Sequence, residues 1–181
     1  FMVLYKLGDN MATALSSPFY LDLGFTKTEI GVWAKNAGLW SSIIGAMIGG
    51  AIMLRVSINK ALWLFGTVQL LSIGGFAILA ATGPVIWLLA AVISFEYLGV
   101  GLGTAAFVAY MARESSRTFA ATQIALFTAL AALPRSMANA STGFLVESLG
   151  WVEFYLLCML AAVPGMLLLM WVAPWGAEHG P

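Results

Sequence analysis

Charge is scarce in this 181-residue chain: Asp, Glu, Lys and Arg make up 9% of it, and eight basic residues balance eight acidic ones for a net charge of zero. Soluble domains carry about 25% charged residues, so most soluble enzymes and disordered proteins are excluded. Without a surplus of Lys and Arg there is no basic footprint for nucleic acid. Cys158 and His179 are each the single residue of their kind. A lone cysteine forms no intrachain disulfide, and a lone histidine builds no His/Cys metal cluster. Hydrolytic chemistry is poorly served too. No G-x-S-x-G or H-E-x-x-H occurs, and Asp9 and Asp22 are the only aspartates, Asp22 in a polar loop. The sequence predicts no catalytic residue, no metal site and no cofactor.

Apolar residues fill the space that charge leaves: 61% of the chain, with a mean hydropathy of +0.94. A transmembrane helix takes about 20 residues, so this length holds roughly six to seven spans. Polar runs and turn residues divide the chain. The first span is predicted over about 1–21, ending near Pro18 and the Asp22–Thr28 loop. A second follows over about 29–54, with Thr26 or Thr28 as N-cap. The run Arg55–Lys60 closes it. Residues 61–95 carry no charge and are too many for one span; Thr82-Gly83-Pro84 splits them, placing spans at about 60–81 and 85–111. Further spans are predicted over about 119–146 and 151–173, so that a six-helix all-α membrane bundle occupies 1–174 and a polar tail 175–181. The alternating ten-residue segments of a β-barrel are not seen. A cleavable signal peptide is not predicted either, since Phe1 opens in apolar sequence without a basic region before it. That opening reads as part of a longer chain.

Lys and Arg in short loops set orientation. Arg55, Lys60, Arg113 and Arg117 fall in the second and fourth loops, against Lys27 alone in the others. This places those two loops, the tail and both termini in the cytoplasm.

Five ionisable residues fall inside predicted spans: Lys6, Asp9, Lys35, Glu96 and Arg135. Each costs about 2.5–3.5 kcal/mol at a helix centre, and such residues are kept where they face protein or water. Lys6 and Asp9 are three apart and share a face. Thr13, Ser16 and Tyr20 continue it. Gly99, Gly103 and Tyr110 follow Glu96 on another face, and Thr128, Ala132, Asn139 and Thr142 flank Arg135, with a kink expected at Pro134. Polar stripes on three helices favour a cavity for protons or a charged solute over charges that merely neutralise one another. Asp9 or Glu96 is the candidate proton-coupling carboxylate. Gly45-x-x-x-Gly49 and Gly99-x-x-x-Gly103, with Gly38 and Ser42 extending the first, are read as close-packing ridges.

Residues Gly49, Gly50, Arg55 and Lys60 bound a segment similar to the major facilitator signature: a glycine-rich helix end, a short basic loop and the next helix. Its usual loop Asp is missing. Tyr5-Lys-Leu-Gly-Asp9, Gly24–Gly31, Phe95-Glu96, Gly103–Ala109, Ala121–Leu126, and Gly150-Trp151 with Phe154–Leu156 resemble, in order, the AmpG-type muropeptide permeases. Related acetyl-CoA transporters share parts of the pattern. The resemblance covers the C-terminal six-helix half of that family. It implies proton-driven import of anhydromuropeptides across the bacterial inner membrane for peptidoglycan recycling. The matched positions carry Lys6, Asp9, Glu96 and Gln123. A facilitator site forms between two halves, so the expected partners are lipid and a second six-helix half, in the same protein or in a partner chain. The competing expectation is a non-transporting structural or assembly subunit, with other membrane subunits against its apolar ridges.

Overall fold

The computed structural model describes residues 2–115 and 119–175, without the side chains of residues 2, 3, 120, 127, 130, 131, 133–135 and 137–139. Every regular element among them is helical. In chain order these are α1 (Met2–Tyr5), α2 (Leu7–Ala14), α3 (Ser16–Asp22), α4 (Lys27–Glu29), a π-helical turn (Ile30–Ala34), α5 (Lys35–Met53), α6 (Ile58–Thr82), α7 (Ile86–Glu114), α8 (Ala120–Leu149) and α9 (Trp151–Val172). Four stretches are long and apolar enough to cross a membrane: Lys27–Met53, Ile58–Thr82, Ile86–Glu114 and Trp151–Val172. Their outward side chains suit lipid rather than water; Met47 is 71% exposed and Trp171 86%.

The stretch predicted as one first helix is three. Pro18 has no amide to bond the carbonyl of Ala14 and crowds it. The chain leaves helical geometry at Leu15 (φ −107°, ψ 21°). A second break falls at Lys6 (φ −100°, ψ 0°). Backbone bonds from Asn10 to Lys6 (3.0 Å) and from Phe19 to Leu15 (2.9 Å) carry the ladder across both. The next helix opens on a capping box. The Glu29 amide donates to Thr26 Oγ1 at 3.2 Å, and the Thr26 amide donates to Glu29 Oε2 at 2.8 Å. Gly83 and Gly150, at φ 91° and 86°, close α6 and α8 in a backbone region that side-chain-bearing residues avoid.

Packing divides into two apolar clusters with a polar layer between them. One gathers Phe19, Phe76, Phe154 and Tyr155 from α3, α6 and α9. The other gathers Tyr5, Leu62, Phe65, Leu102 and Phe107. Asp9, Gln69, Ser72 and Glu96 are buried at intermediate positions along α2, α6 and α7. Small residues bring the backbones close. A Cβ on Gly8 would lie 2.5 Å from the Cys158 carbonyl, and one on Gly165 would lie 2.5 Å from that of Leu4.

A polar clasp holds one end together. Buried Asn59, near the start of α6, accepts from Arg113 Nη1 on α7 at 2.7 Å and donates to the Pro174 carbonyl beyond α9 at 3.3 Å. Trp63 Nε1 donates to the Ala173 carbonyl at 3.0 Å. Replacing Asn59 by Leu leaves the Arg113 guanidinium one partner short. A hydrogen bond to a charged group is worth about 1.5–3 kcal/mol. Asn59→Leu is therefore expected to lower the thermal midpoint in detergent by several degrees, read by size-exclusion after heating. An unchanged midpoint would show that the clasp adds nothing.

Candidate functional site

The polar layer opens into a cavity of about 550 Å³ between α2, α7 and α8. Lys6 and Asp9 form part of its wall, with Asn10, Thr13, Tyr97, Thr104 and Thr128 as further polar lining. Lys6 projects from the helix break and Asp9 from the following turn. Their charged atoms, Lys6 Nζ and Asp9 Oδ2, lie 3.4 Å apart. Both side chains are largely withdrawn from solvent, at 14% and 8% exposure. Thr13 turns its hydroxyl back to the Asp9 carbonyl at 2.8 Å.

Behind the wall sits Glu96, fully buried on α7. The Ser72 hydroxyl of α6 makes a short hydrogen bond with Glu96 Oε2 and also lies 2.8 Å from the Gln69 carbonyl. Asp9 and Lys6 are the charged groups that interact with Glu96. Among the described residues, Asp9 Oδ1, Glu96 Oε1, Gln69 Nε2 and Tyr155 Oη are buried with no hydrogen-bond partner. Orphaned polar atoms are rare in folded proteins and are costly in an apolar interior. Three of these four lie in this layer, which is therefore the least satisfied polar region among the described residues.

Glycines on α7 make this layer possible. A Cβ on Gly103 would lie 2.9 Å from Gln69 Oε1 and 3.6 Å from Lys6 Nζ; one on Gly99 would lie 3.4 Å from Gln69 Cα and 3.5 Å from Ser72 Oγ. The Gly99/Gly103 face thus admits a polar partner helix. The Gly45/Gly49 ridge is different and packs α5 directly on the backbone of α7 at Leu98 and Leu102.

The other candidates are dispersed. Lys35 is exposed at the start of α5 and lines a second cavity of about 140 Å³, which shares Tyr97 with the first. Tyr110 is buried in an apolar cluster under the Arg113 guanidinium, 5.0 Å from its ring centre, and lines neither cavity. Gln123, half-buried in the first turn of α8, lines neither. The side chains of Arg135, Asn139 and Pro134 lie outside the described residues. Gly49 is packed against Ala105, Gly50 faces open space, Arg55 is exposed, and the Lys60 amide bonds Ser57 Oγ at 3.5 Å. Gln69, Ser72 and Tyr97 belong to the site without having stood out in the sequence. Gln69 and Ser72 are uncharged, though their three-residue spacing in an apolar span is a usable signal.

No family model matches the chain. It is 50% identical over 186 residues to an uncharacterized protein of Haemophilus influenzae, covering 99% of this chain and 44% of that one. It is 42% identical over 170 residues to the anhydromuropeptide permease of Escherichia coli K12, covering 93% of this chain and 35% of the permease. The chain therefore spans less than half the length of these relatives. The named relative is a permease, a membrane-embedded transporter and not an enzyme, in keeping with the apolar helices. Over the segment it covers, this chain is a homologue of the anhydromuropeptide permeases.

Proposed function

We propose that this chain is the C-terminal six-helix half of a proton-coupled permease of the major facilitator type, importing anhydromuropeptides from periplasm to cytoplasm. Its six spans cross the bacterial inner membrane with both termini in the cytoplasm. The partner is a second six-helix half, which supplies the facing wall of the 550 Å³ cavity. The carrying observation is the two buried carboxyl groups, Glu96 behind the cavity wall and Asp9 paired with Lys6 in it, in a chain 42% identical to a permease.

A hydroxyl has one proton to give. Ser72 stands within reach of both the Gln69 carbonyl and Glu96 Oε2. A protonated Glu96 satisfies both contacts: it donates to Ser72, and Ser72 donates to the carbonyl. Asp9, held by Lys6 at the cavity wall, is the point where that proton meets water or solute. Solute binding beside Lys6 draws the ammonium from Asp9 and leaves the carboxylate to take up the proton. The reading as a purely structural subunit is not favoured, because the named relative is a permease.

A chimera tests the proposal. In E. coli lacking its own permease, the stretch of that permease matched over 170 residues is replaced by this chain. The chimera is expected to restore uptake of radiolabelled anhydromuropeptide, abolished by a protonophore, whereas the chain expressed alone restores none. A chimera that reaches the membrane as a monodisperse protein yet takes up nothing would overturn the reading.

A further inference from the structure

The two cavities differ in the chemistry of their walls. In the larger one the cation is neutralised: Lys6 is paired with Asp9. In the smaller one it is not. Among the described residues, the ion pairs are Lys6–Asp9 and Arg113–Glu114, and Lys35 is in neither. Around Lys35 the cavity presents the hydroxyls of Ser16, Ser17, Tyr20 and Tyr97 and no carboxylate. Each of these groups can donate a hydrogen bond. Lys35 stands eight residues along the stretch that begins at Lys27, about 12 Å of helix rise from its end. Lys35 is exposed there, so its unpaired ammonium is free to meet an anion.

The backbone is shaped to put it there. Lys35 immediately follows the π-helical turn Ile30–Ala34, a distortion that often marks a functional site. One turn later, Gly38 has no Cβ to hold off Tyr97, whose ring carbons lie 3.3 Å from where that atom would be. Tyr97 is the residue common to both cavities. At about 140 Å³ the smaller cavity suits one anionic group, while the larger falls in the usual range of about 300–1,000 Å³ for a whole ligand.

We propose that Lys35, with Ser16, Ser17 and Tyr97, forms an anion subsite that receives a carboxylate of the solute, separate from the Lys6–Asp9 pair. This rests on the transport reading above. The solute bridges the two cavities across Tyr97, its peptide carboxylate on Lys35 and its remaining bulk in the larger space.

The test uses the chimeric permease and two probes: an anhydromuropeptide with free peptide carboxylates, and the same molecule with those carboxylates amidated. The wild-type chimera is expected to favour the free acid by about tenfold in uptake at low concentration, the worth of one charge-assisted hydrogen bond. Lys35→Gln brings that ratio near unity, and Lys35→Arg retains it. A wild-type protein that takes both probes equally overturns the subsite and leaves transport standing. A Lys35→Gln variant that slows both probes by the same factor also overturns it, since a purely structural lysine behaves that way. If the wild-type chimera takes neither probe, the transport reading fails and the subsite falls with it.

Discussion

Asp9→Asn is expected to reduce gradient-driven uptake by more than about a hundredfold, because removing one partner of a buried pair leaves the other charge uncompensated at about 3–5 kcal/mol. Lys6 is the group left behind. At 14% exposure it has little water to replace the carboxylate 3.4 Å away. Glu96→Gln is expected to fail in the same assay for another reason. The amide keeps the shape and its contact with Ser72, but it carries no exchangeable charge. Equilibrium exchange of labelled for unlabelled solute needs no net proton movement. It should therefore survive in Glu96→Gln while accumulation against a gradient does not. The double variant Lys6→Met/Asp9→Leu separates coupling from folding. Apolar replacement of a whole buried pair is often neutral or stabilising, so this protein should melt no lower than wild type and still accumulate nothing. Wild-type accumulation rates in both single variants, under an imposed pH gradient, would end the proton-coupling reading.

The membrane class of this chain was legible in its scarcity of charge, and the helical character of its apolar stretches in their length and punctuation. The site was legible only where it is charged. Lys6, Asp9 and Glu96 stood out because each is expensive in a bilayer. Gln69 and Ser72 did not, because hydropathy averaged over an uncharged run hides two polar groups three residues apart. Their role depends on which helix faces them, and only the tertiary arrangement sets α6 against the Gly99/Gly103 face. Tyr110 stands apart from the carboxylates. It shares a helical face with Glu96, but fourteen residues are about 21 Å of helix. It ends beneath Arg113, far from the carboxylates. A shared face is therefore a weaker constraint than a shared depth. The break at Leu15 had a visible cause in Pro18; the break at Lys6 had none in the local sequence.

Gly101→Leu is expected to remove most folded protein from the membrane, although Gly101 lines neither cavity and lies outside both glycine pairs visible as sequence motifs. A Cβ at Gly101 would collide with the Ser42 carbonyl and lie 2.7 Å from the Ala46 amide nitrogen, while one at Gly45 would collide with the Leu98 carbonyl. These neighbours are backbone, so neither α5 nor α7 can yield by changing a rotamer. The helices must part. In lipid that separation is costly in a particular way: apolar helix faces gain nothing by hiding from hydrocarbon, so close backbone packing is itself the stabilising term. Over-packing costs about 1–3 kcal/mol where side chains can adjust, and occasionally more; a backbone clash belongs at the upper end. The damage also reaches the site, because the same ridge holds Gly38 under Tyr97 and Gly49 against Ala105. Gly50→Ala is the matched control. It lies on the facing helix α5 with nothing within 4 Å of its added Cβ. Exchanging Gly for Ala in a helix is worth about 0.5–1 kcal/mol in its favour. In detergent, Gly50→Ala should melt at or above the wild-type temperature and Gly101→Leu many degrees below it. Equal midpoints for the two would mean that α5 and α7 do not meet backbone to backbone, and that Tyr97 owes its place between the two cavities to something else.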